Sequence, residues 1–223
     1  MAAAAIATAS LTAAPVFTEG GTLVIVSNQV PRHLNGGVQS GIATAVPSHR
    51  FSPRVCVTTR TGRPEPYLAK SWEVTEDGLS VTLHLVENAA FHDGKPVTSV
   101  DVAFSIMTIK ENHPFMSMFA PVEAIETPNA YTAIIKLSQP HPALLRALSP
   151  SLAPIMPKHI YGDGQDIKSH PANSAPVGSG PFTLSEFAPG EAVVMKKTRI
   201  SFLRAALNWM KSSFGSSKTP LLC

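Results

Sequence analysis

Charged residues are scarce in this chain: Asp, Glu, Lys and Arg make up only 15% of its 223 residues, while 20 residues are proline. Proline at that density argues against a helical bundle and favours an α/β protein with many extended segments and turns. No apolar run is long enough to span a bilayer, and no segment is repeated. The length allows one large domain or two small ones with a real hydrophobic core.

Acidic residues are missing from two segments of the chain. Residues 48–63 contain four arginines and no acid, and residues 196–223 contain six basic residues and no acid. Without these ten, eight of the 18 basic residues face all 15 acidic ones, so the rest of the chain is acidic. An acidic body repels phosphate, and the basic segments lack interleaved aromatic residues, so we expect no nucleic-acid binding. Both cysteines, Cys56 and Cys223, lie in these basic segments.

Basic residues are also missing from the first 18 positions, which are mostly small and apolar. The run resembles the hydrophobic and cleavage regions of a secretory signal without its basic start. We interpret residues 1–18 as the remnant of a signal peptide, with a mature domain that begins near Val16–Glu19, and we expect an exported, periplasmic protein. An Ala-rich leader without an export function is the alternative.

The stretch "FHDGKPVTSVDVAF" predicts the end of a strand, a turn and the start of a helix. Asp93-Gly94 is a turn dipeptide, and Thr98 followed by Asp101 has the spacing of a capping box. The apolar residues that follow share one face of the predicted helix: Val100, Ala103, Phe104 and Met107. His92 beside Asp93 suggests a catalytic pair, but no nucleophile or polarised water is indicated nearby. We therefore interpret this pair as structural.

The usual motifs of catalysis and of metal binding are missing. "GSGP" (178–181) is not followed by Gly-Lys-Ser/Thr and is not a Gly-x-Ser-x-Gly elbow, so it predicts a turn. None of the histidines considered as ligands has a partner at the i, i+3 or i, i+4 spacing of a metal-binding helix. We expect surface histidines, no metal and no cofactor; those considered are His84, His92, His113, His141 and His170.

Strand and helix signals fill most of the chain. Residues 21–27 form an apolar run that predicts a buried strand, and the polar loop 28–41 after it predicts a surface or the lining of a cleft. Strand–turn–strand patterns begin at "PYLAKSW", "AIETPNA" and "VGSGPFT". Short helices are predicted in "HPALLRALSP" and "MPKHIYGDG". In the first pattern Val81, Leu83 and Leu85 alternate with outward-facing residues. Residues 48–63 lack periodicity, so we expect an irregular, poorly packed segment there.

Three stretches resemble the extracellular solute-binding proteins of family 5, the peptide-type receptors of ABC importers: "GGTLVIVSNQVPRHLN", "PYLAKSWEVTEDGLSVTLHLVENAAFHDGKPVTSVDVAFSI" and "PVGSGPFTLSEFAPGEAVVM". The resemblance covers residues 19–47 and 64–197. It implies an α/β, periplasmic-binding-protein-like fold of the two-lobed type II, with only the N-terminal lobe and its inserted subdomain present. Residues 19–47 and 176–197 would belong to the core of lobe I, and residues 64–175 to the inserted α/β subdomain.

Residues 48–63 and 198–223 depart from this family pattern. We interpret them as atypical segments of possible frame-shifted origin, with genuine divergence as the alternative. Within the second segment the apolar residues form a helical stripe near basic side chains, a pattern that also fits binding to a membrane surface: Ile200, Leu203, Leu207, Met210 and Phe214.

The resemblance implies a binding protein and not an enzyme. It would capture a peptide or similar small solute, such as a dipeptide, an oligopeptide or an opine, and deliver it as a monomer to the permease subunits of an ABC importer. We expect the loop after the first strand to contribute Gln39, Ser40 and Gly41 to the ligand wall. One wall alone should bind weakly. A secreted α/β hydrolase is the alternative, but it requires a nucleophile–base–orienter set that the sequence does not supply.

Overall fold

The computed structural model of the protein describes residues 24–25, 28–53, 55–58, 63–149 and 152–198. Two short 3₁₀ turns, Met116–Phe119 and Pro171–Asn173, accompany the helices and strands. In chain order these are α1 (Ile42–Phe51), β1 (Cys56–Thr58), β2 (Pro64–Pro66), β3 (Ala69–Val74), β4 (Ser80–Leu85), α2 (Ser99–Asn112), β5 (Val122–Asn129), β6 (Thr132–Leu137), α3 (Leu144–Ala147), α4 (Lys158–Tyr161), β7 (Phe182–Ala188) and β8 (Ala192–Lys197).

An antiparallel sheet of four strands, in the order β3-β4-β6-β5, forms the centre of the described chain. The β3–β4 turn closes on Asp77, whose carboxylate accepts hydrogen bonds from the Thr75 hydroxyl at 2.6 Å and from the Leu79 N–H at 2.9 Å. Gly78 supplies the positive φ of 68° that this turn needs. The alternation predicted for β4 is confirmed: Val81, Leu83 and Leu85 are buried.

Helix α2 packs on β5 and β6 and begins at the predicted capping box. The Asp101 carboxylate accepts the Thr98 N–H at 2.9 Å and, through its other oxygen, the Lys158 N–H at the start of α4 at 2.9 Å. It therefore holds the beginnings of two helices while it is itself buried. The side chains of α2 that are fully buried include Val102, Ser105, Ile106 and Ile109. On the apolar face predicted from the spacing, Phe104 and Met107 are half-buried and pack against the core, while Val100 is 39% exposed.

Helix α1 and strand β1 correct the prediction that residues 48–63 are irregular and poorly packed. The described part of this segment contains the end of α1 and the strand β1, with Ser48, Phe51 and Val55 buried. The Val55 carbonyl accepts the Ala69 N–H at 3.0 Å, which ties the segment to β3. Periodicity missed this helix because Pro47 lies inside it and its buried positions include Thr44 and Ser48 as well as apolar residues.

The free thiol of Cys56 lies in the core beside Val55. Burial raises the pKa of this thiol to about 12, since the thiolate is poorly solvated there. Cys56 therefore behaves as a small apolar residue at neutral pH.

Strands β7 and β8 form a separate antiparallel hairpin whose Pro189-Gly190 turn has Gly190 at a φ of 89°. Of the buried strand predicted over 21–27, only Val24 and Ile25 are described. Neither lies in a strand, and they are 77% and 55% exposed, so the prediction is wrong for these two residues. The predicted signal remnant, residues 1–18, and the tail 199–223 lie outside the described residues. Over the described ranges, no helix has the length and apolarity that crossing a membrane requires.

Two of the predicted surface histidines are buried. His113 is 1% exposed and caps the end of α2, where its Nδ1 accepts the Phe115 N–H at 3.0 Å. His170 is 7% exposed, and its Nδ1 accepts the Ala172 N–H at 3.1 Å while its Nε2 lies 3.2 Å from an Asp163 oxygen. Each of these two histidines precedes a proline in the sequence, as expected for a turn. Its ring is nevertheless buried, because it accepts a hydrogen bond from a backbone N–H group.

Candidate ligand-binding face

The loop 28–41 has no helix or strand of its own, yet its middle is firmly held. The Leu34 N–H donates to the Asn173 carbonyl at 2.8 Å, and the Asn35 side-chain amide donates to Asn173 Oδ1 at 2.8 Å. Asn35 Oδ1 in turn accepts the Gly37 N–H at 2.8 Å. Leu34 and both asparagines are buried. The loop is therefore anchored to the 3₁₀ turn 171–173.

Two glycines allow the loop to pack closely against neighbouring parts of the chain. A Cβ on Gly36 would lie 2.6 Å from Ser48 Oγ in α1, and a Cβ on Gly37 would lie 2.8 Å from Met156 Sδ. A side chain at Gly36 would force Ser48 of α1 to shift, and one at Gly37 would force Met156 to shift. The sequence "LNGG" therefore combines a buried amide anchor with two positions of close approach.

The three residues predicted for the ligand wall form the junction between this loop and α1. Gly41 adopts a φ of 117°, and its carbonyl accepts the Ala45 N–H at 2.9 Å, so it opens the helix. Apart from the two neighbours in sequence, no atom of the described residues lies within 4 Å of the position of a Cβ on Gly41, so the backbone faces open space there. Gln39 and Ser40 are half-buried. Gln39 Oε1 is buried and has no hydrogen-bond partner among the described residues.

A hollow of about 550 Å³ lies beside this junction, between the start of the loop, the first two turns of α1 and the β7–β8 hairpin. Gln39, Ser40 and Gly41 are not among its described lining residues. These are Ile25, Asn28, Gln29, Val30, Pro31, Ile42, Ala43, Val46, Pro47, Phe187, Ala188, Gly190, Glu191, Ala192, Val193 and Met195. Sequence reasoning missed this hollow because its two halves come from chain segments about 150 positions apart.

The "GSGP" turn and His92 hold α1 in place. The Gly180 N–H donates to the Phe51 carbonyl at the end of α1 at 2.8 Å, and His92 Nε2 lies 2.9 Å from the Gly180 carbonyl. The His92 N–H donates to the Gly178 carbonyl at 2.6 Å. Burial lowers the pKa of His92, although the bond to Gly180 and the charge of Asp93 act in the other direction. A neutral ring with its proton on Nε2 makes this hydrogen bond.

Asp93 completes the same turn. Its carboxylate lies 2.7 Å from His159 Nε2 at α4 and accepts the Lys95 N–H at 3.2 Å. Partial burial alone would raise the pKa of Asp93, but the hydrogen bonds and charges of His159 and Lys95 together outweigh it, so the pKa is lowered. Both members of the His92-Asp93 pair thus join chain segments.

The hollow has a mainly apolar lining. Its described lining is mainly aliphatic, with amide groups at Asn28 and Gln29 and one carboxylate at Glu191. Within the described ranges, no group of three His, Cys, Asp or Glu side chains is arranged to hold a metal ion. Aliphatic walls with a few amide and backbone groups are typical of sites for small solutes.

The comparison with protein families identifies one model, for the bacterial extracellular solute-binding proteins of family 5, which matches residues 63–199. A putative ABC transporter peptide-binding protein of Brucella ovis is 31% identical over 149 residues, which cover 64% of this chain and 28% of the relative. A probable D,D-dipeptide-binding periplasmic protein of Escherichia coli is 31% identical over 136 residues, covering 57% of this chain and 25% of the relative. The chain thus spans about a quarter of the length of these relatives.

Solved structures share the fold. NikZ of Campylobacter jejuni, in complex with Ni(L-His), is 25% identical with a TM-score of 0.72, and the match covers 85% of this chain and 41% of that one. The binding protein AgaA of Agrobacterium tumefaciens, in complex with agropinic acid, is 29% identical with a TM-score of 0.68, covering 77% and 35%. The expected α/β, periplasmic-binding-protein-like fold class is confirmed, over part of the length of these structures.

Proposed function

The chain belongs to the bacterial extracellular solute-binding proteins of family 5, which are transport proteins and not enzymes, and from this premise we propose that it contributes one wall of the binding cleft of an ABC importer's substrate-binding component. The solute is a peptide or a similar small molecule, such as a dipeptide, an oligopeptide or an opine. The match to the family model over residues 63–199 carries this proposal, because it includes the whole four-stranded sheet, α2 and the β7–β8 hairpin.

Gln39, Ser40 and Gly41 form part of the proposed wall. Gly41 offers backbone next to open space, and Gln39 has a buried side-chain oxygen with no described partner. The Asn35–Asn173 hydrogen bond fixes the loop just before these residues, so that their polar groups are positioned before a ligand arrives. A pre-positioned wall lowers the entropy that binding must overcome.

The domain boundaries inferred from the sequence complete the proposal. Residues 19–47 and 176–197 belong to the core of the lobe that holds the ligand wall, and residues 64–175 form a subdomain inserted into it. The His92–Gly180 hydrogen bond joins these two parts. Export to the periplasm and delivery to membrane permease subunits follow from the proposed role in an ABC importer.

A thermal-shift screen of the protein against dipeptides, oligopeptides and opines at millimolar concentration tests this function. We expect at least one of these classes to raise the melting temperature, because a ligand that binds only the folded state stabilises it. The Ser40→Trp variant should lose that shift, while Ser71→Trp, on the exposed strand β3, should keep it. Equal shifts in both variants would contradict the assignment of the wall, and no shift with any solute class would contradict the function.

A further inference from the structure

Two histidine rings support the backbone on the two sides of the Asn35–Asn173 hydrogen bond. His33 Nδ1 accepts the Asn35 N–H at 3.2 Å. In the same way, His170 Nδ1 accepts the Ala172 N–H at 3.1 Å, one residue before the second asparagine. One ring therefore holds the loop that precedes the proposed wall, and the other holds the 3₁₀ turn to which that loop is anchored.

The same kind of contact, from a side-chain acceptor to the N–H two residues later, is made elsewhere in this chain by amide oxygens. Asn35 Oδ1 accepts the Gly37 N–H at 2.8 Å, and Asn129 Oδ1 accepts the Tyr131 N–H at 2.9 Å. An amide oxygen accepts at every pH, whereas a histidine ring nitrogen accepts only while the ring is neutral. The two histidine contacts therefore depend on pH in a way that the asparagine contacts do not.

The surroundings of His170 fix the form of its ring in which Nδ1 accepts. Its Nε2 lies 3.2 Å from an Asp163 oxygen, so the proton of the neutral ring lies on Nε2. The Tyr161 ring packs on His170 with 4.9 Å between the ring centroids, and its hydroxyl donates to the Ala172 carbonyl at 3.1 Å. Asp163 is the charged group in contact with this ring.

His33 is half-buried beside α1, where the Thr44 hydroxyl donates to its carbonyl at 3.1 Å. Burial, and then the charge of Arg32, lower the pKa of His33 from an ordinary value of 6.5, so the ring is neutral at neutral pH and Nδ1 can accept. Once the ring is protonated, its Nδ1–H and the Asn35 N–H are two donors that face each other. The contact is then lost.

We infer that His33 and His170 are positioning residues of the ligand wall, an inference that rests on the proposed function. They act through the Asn35–Asn173 hydrogen bond, which fixes the loop just before residues 39–41. When the rings are protonated, they release the loop from the 3₁₀ turn. The wall is therefore held at neutral pH and loosened in a mildly acidic medium.

Hydrogen exchange without any solute tests the positioning. NMR gives a protection factor for each amide, corrected for the intrinsic exchange rate at each pH. The amides of Leu34, Asn35 and Ala172 report on the anchor, and their protection should fall by about tenfold from pH 7.5 to pH 5.5. The Tyr131 amide is the internal control, because its acceptor, Asn129, does not titrate in this range. Equal falls at the anchor and at the control would overturn the inference.

The double variant His33→Asn/His170→Asn separates titration from packing. Asparagine keeps an acceptor for the N–H two residues later but does not titrate, so the protection of the anchor amides should stay high at both pH values. The variant His33→Leu/His170→Leu fills the space but removes the acceptors, so protection should be low at both pH values. The unmodified pH dependence in the Asn variant, or high protection in the Leu variant, would overturn the inference.

Titration with a mixture of dipeptides at the two pH values connects the anchor to the proposed wall. Binding, followed by the NMR shifts of residues 39–41, should be about tenfold weaker at pH 5.5 than at pH 7.5 in the unmodified chain. The Asn variant should lose this difference. Equal binding at both pH values in the unmodified chain would overturn the effect on the wall. If the anchor amides behave as expected and no dipeptide binds at either pH, the proposed function fails and the positioning role of the two histidines stands.

Discussion

Asn35 and Asn173 lie 138 positions apart in the chain, yet their side-chain amides form a buried hydrogen bond of 2.8 Å. Through Leu34 and Gly37 this pair also satisfies the backbone of the loop that leads to Gln39, Ser40 and Gly41. Asn173 additionally donates to the Ile167 carbonyl at 2.8 Å. The proposed ligand wall therefore depends on a contact between two distant segments.

Asn173→Ala should lower the free energy of unfolding by about 1–3 kcal/mol, because the amide of Asn35 is left buried without its acceptor. Urea denaturation measures this change. Asn88→Ala, at an exposed turn, is the control and should change stability by less than about 0.5 kcal/mol. In a double-mutant cycle with Asn35→Ala, the two effects should not add. Simple additivity would show that the hydrogen bond contributes nothing to stability.

Gly178→Ala should destabilise the protein by about 3 kcal/mol or more, because backbone atoms at the end of α1 would have to move. A Cβ at this position would lie 1.7 Å from the Phe51 carbonyl oxygen. Ser179→Ala is the matched comparison: its hydroxyl is buried with no described partner, so its removal should be neutral or stabilising. Thermal denaturation gives the melting temperatures of the two variants. Similar values would contradict the packing of the "GSGP" segment on α1.

Stability should fall as the pH drops below about 6.5. Burial lowers the pKa of His33, His92 and His113 from an ordinary value of 6.5. Arg32 also lowers the pKa of His33, whereas for His92 the Gly180 hydrogen bond and Asp93 oppose the shift. Below pH 6.5 these three histidines bind protons in the unfolded chain but not in the folded chain. Their contribution to the free energy of unfolding is therefore present above pH 6.5 and is lost as the pH falls towards their lowered pKa values in the folded state.

Denaturation in urea across pH 5 to 7.5 measures this dependence. The double variant His92→Gln/His113→Gln cannot titrate at two of the three positions, so its stability should change less with pH than that of the unmodified chain. An identical slope in both proteins would contradict the assignment of the pH dependence to these rings. The acidic groups with lowered pKa values, such as Asp77 and Asp93, titrate below this window from an ordinary value of 3.8.

Local chemistry made much of the fold predictable between residues 64 and 197. The Glu76-Asp77-Gly78 turn, the Thr98–Asp101 capping box and the Pro189-Gly190 turn each act over a few residues, so their sequence patterns specify their structures. The alternation in β4 is equally local, because it depends only on which face of a strand meets the core.

Long-range contacts account for the errors. Asp101 joins the start of α2 to Lys158 at the start of α4, and no spacing of apolar residues reveals that contact. His113 and His170 are buried because their rings bond to backbone N–H groups. The hollow beside the proposed wall unites α1 with β7 and β8, so neither segment alone indicates it.

We propose that the loop 28–41 presents a ligand wall at Gln39, Ser40 and Gly41. An NMR titration of the isotope-labelled chain with a mixture of dipeptides tests this claim most directly, because chemical shifts detect the millimolar affinity expected when one wall acts alone. We expect the shift changes to saturate only at millimolar concentration, to centre on residues 39–41 and the first turn of α1, and to disappear in Ser40→Trp. Shift changes centred on the four-stranded sheet or on α4, or the same changes in Ser40→Trp, would contradict it.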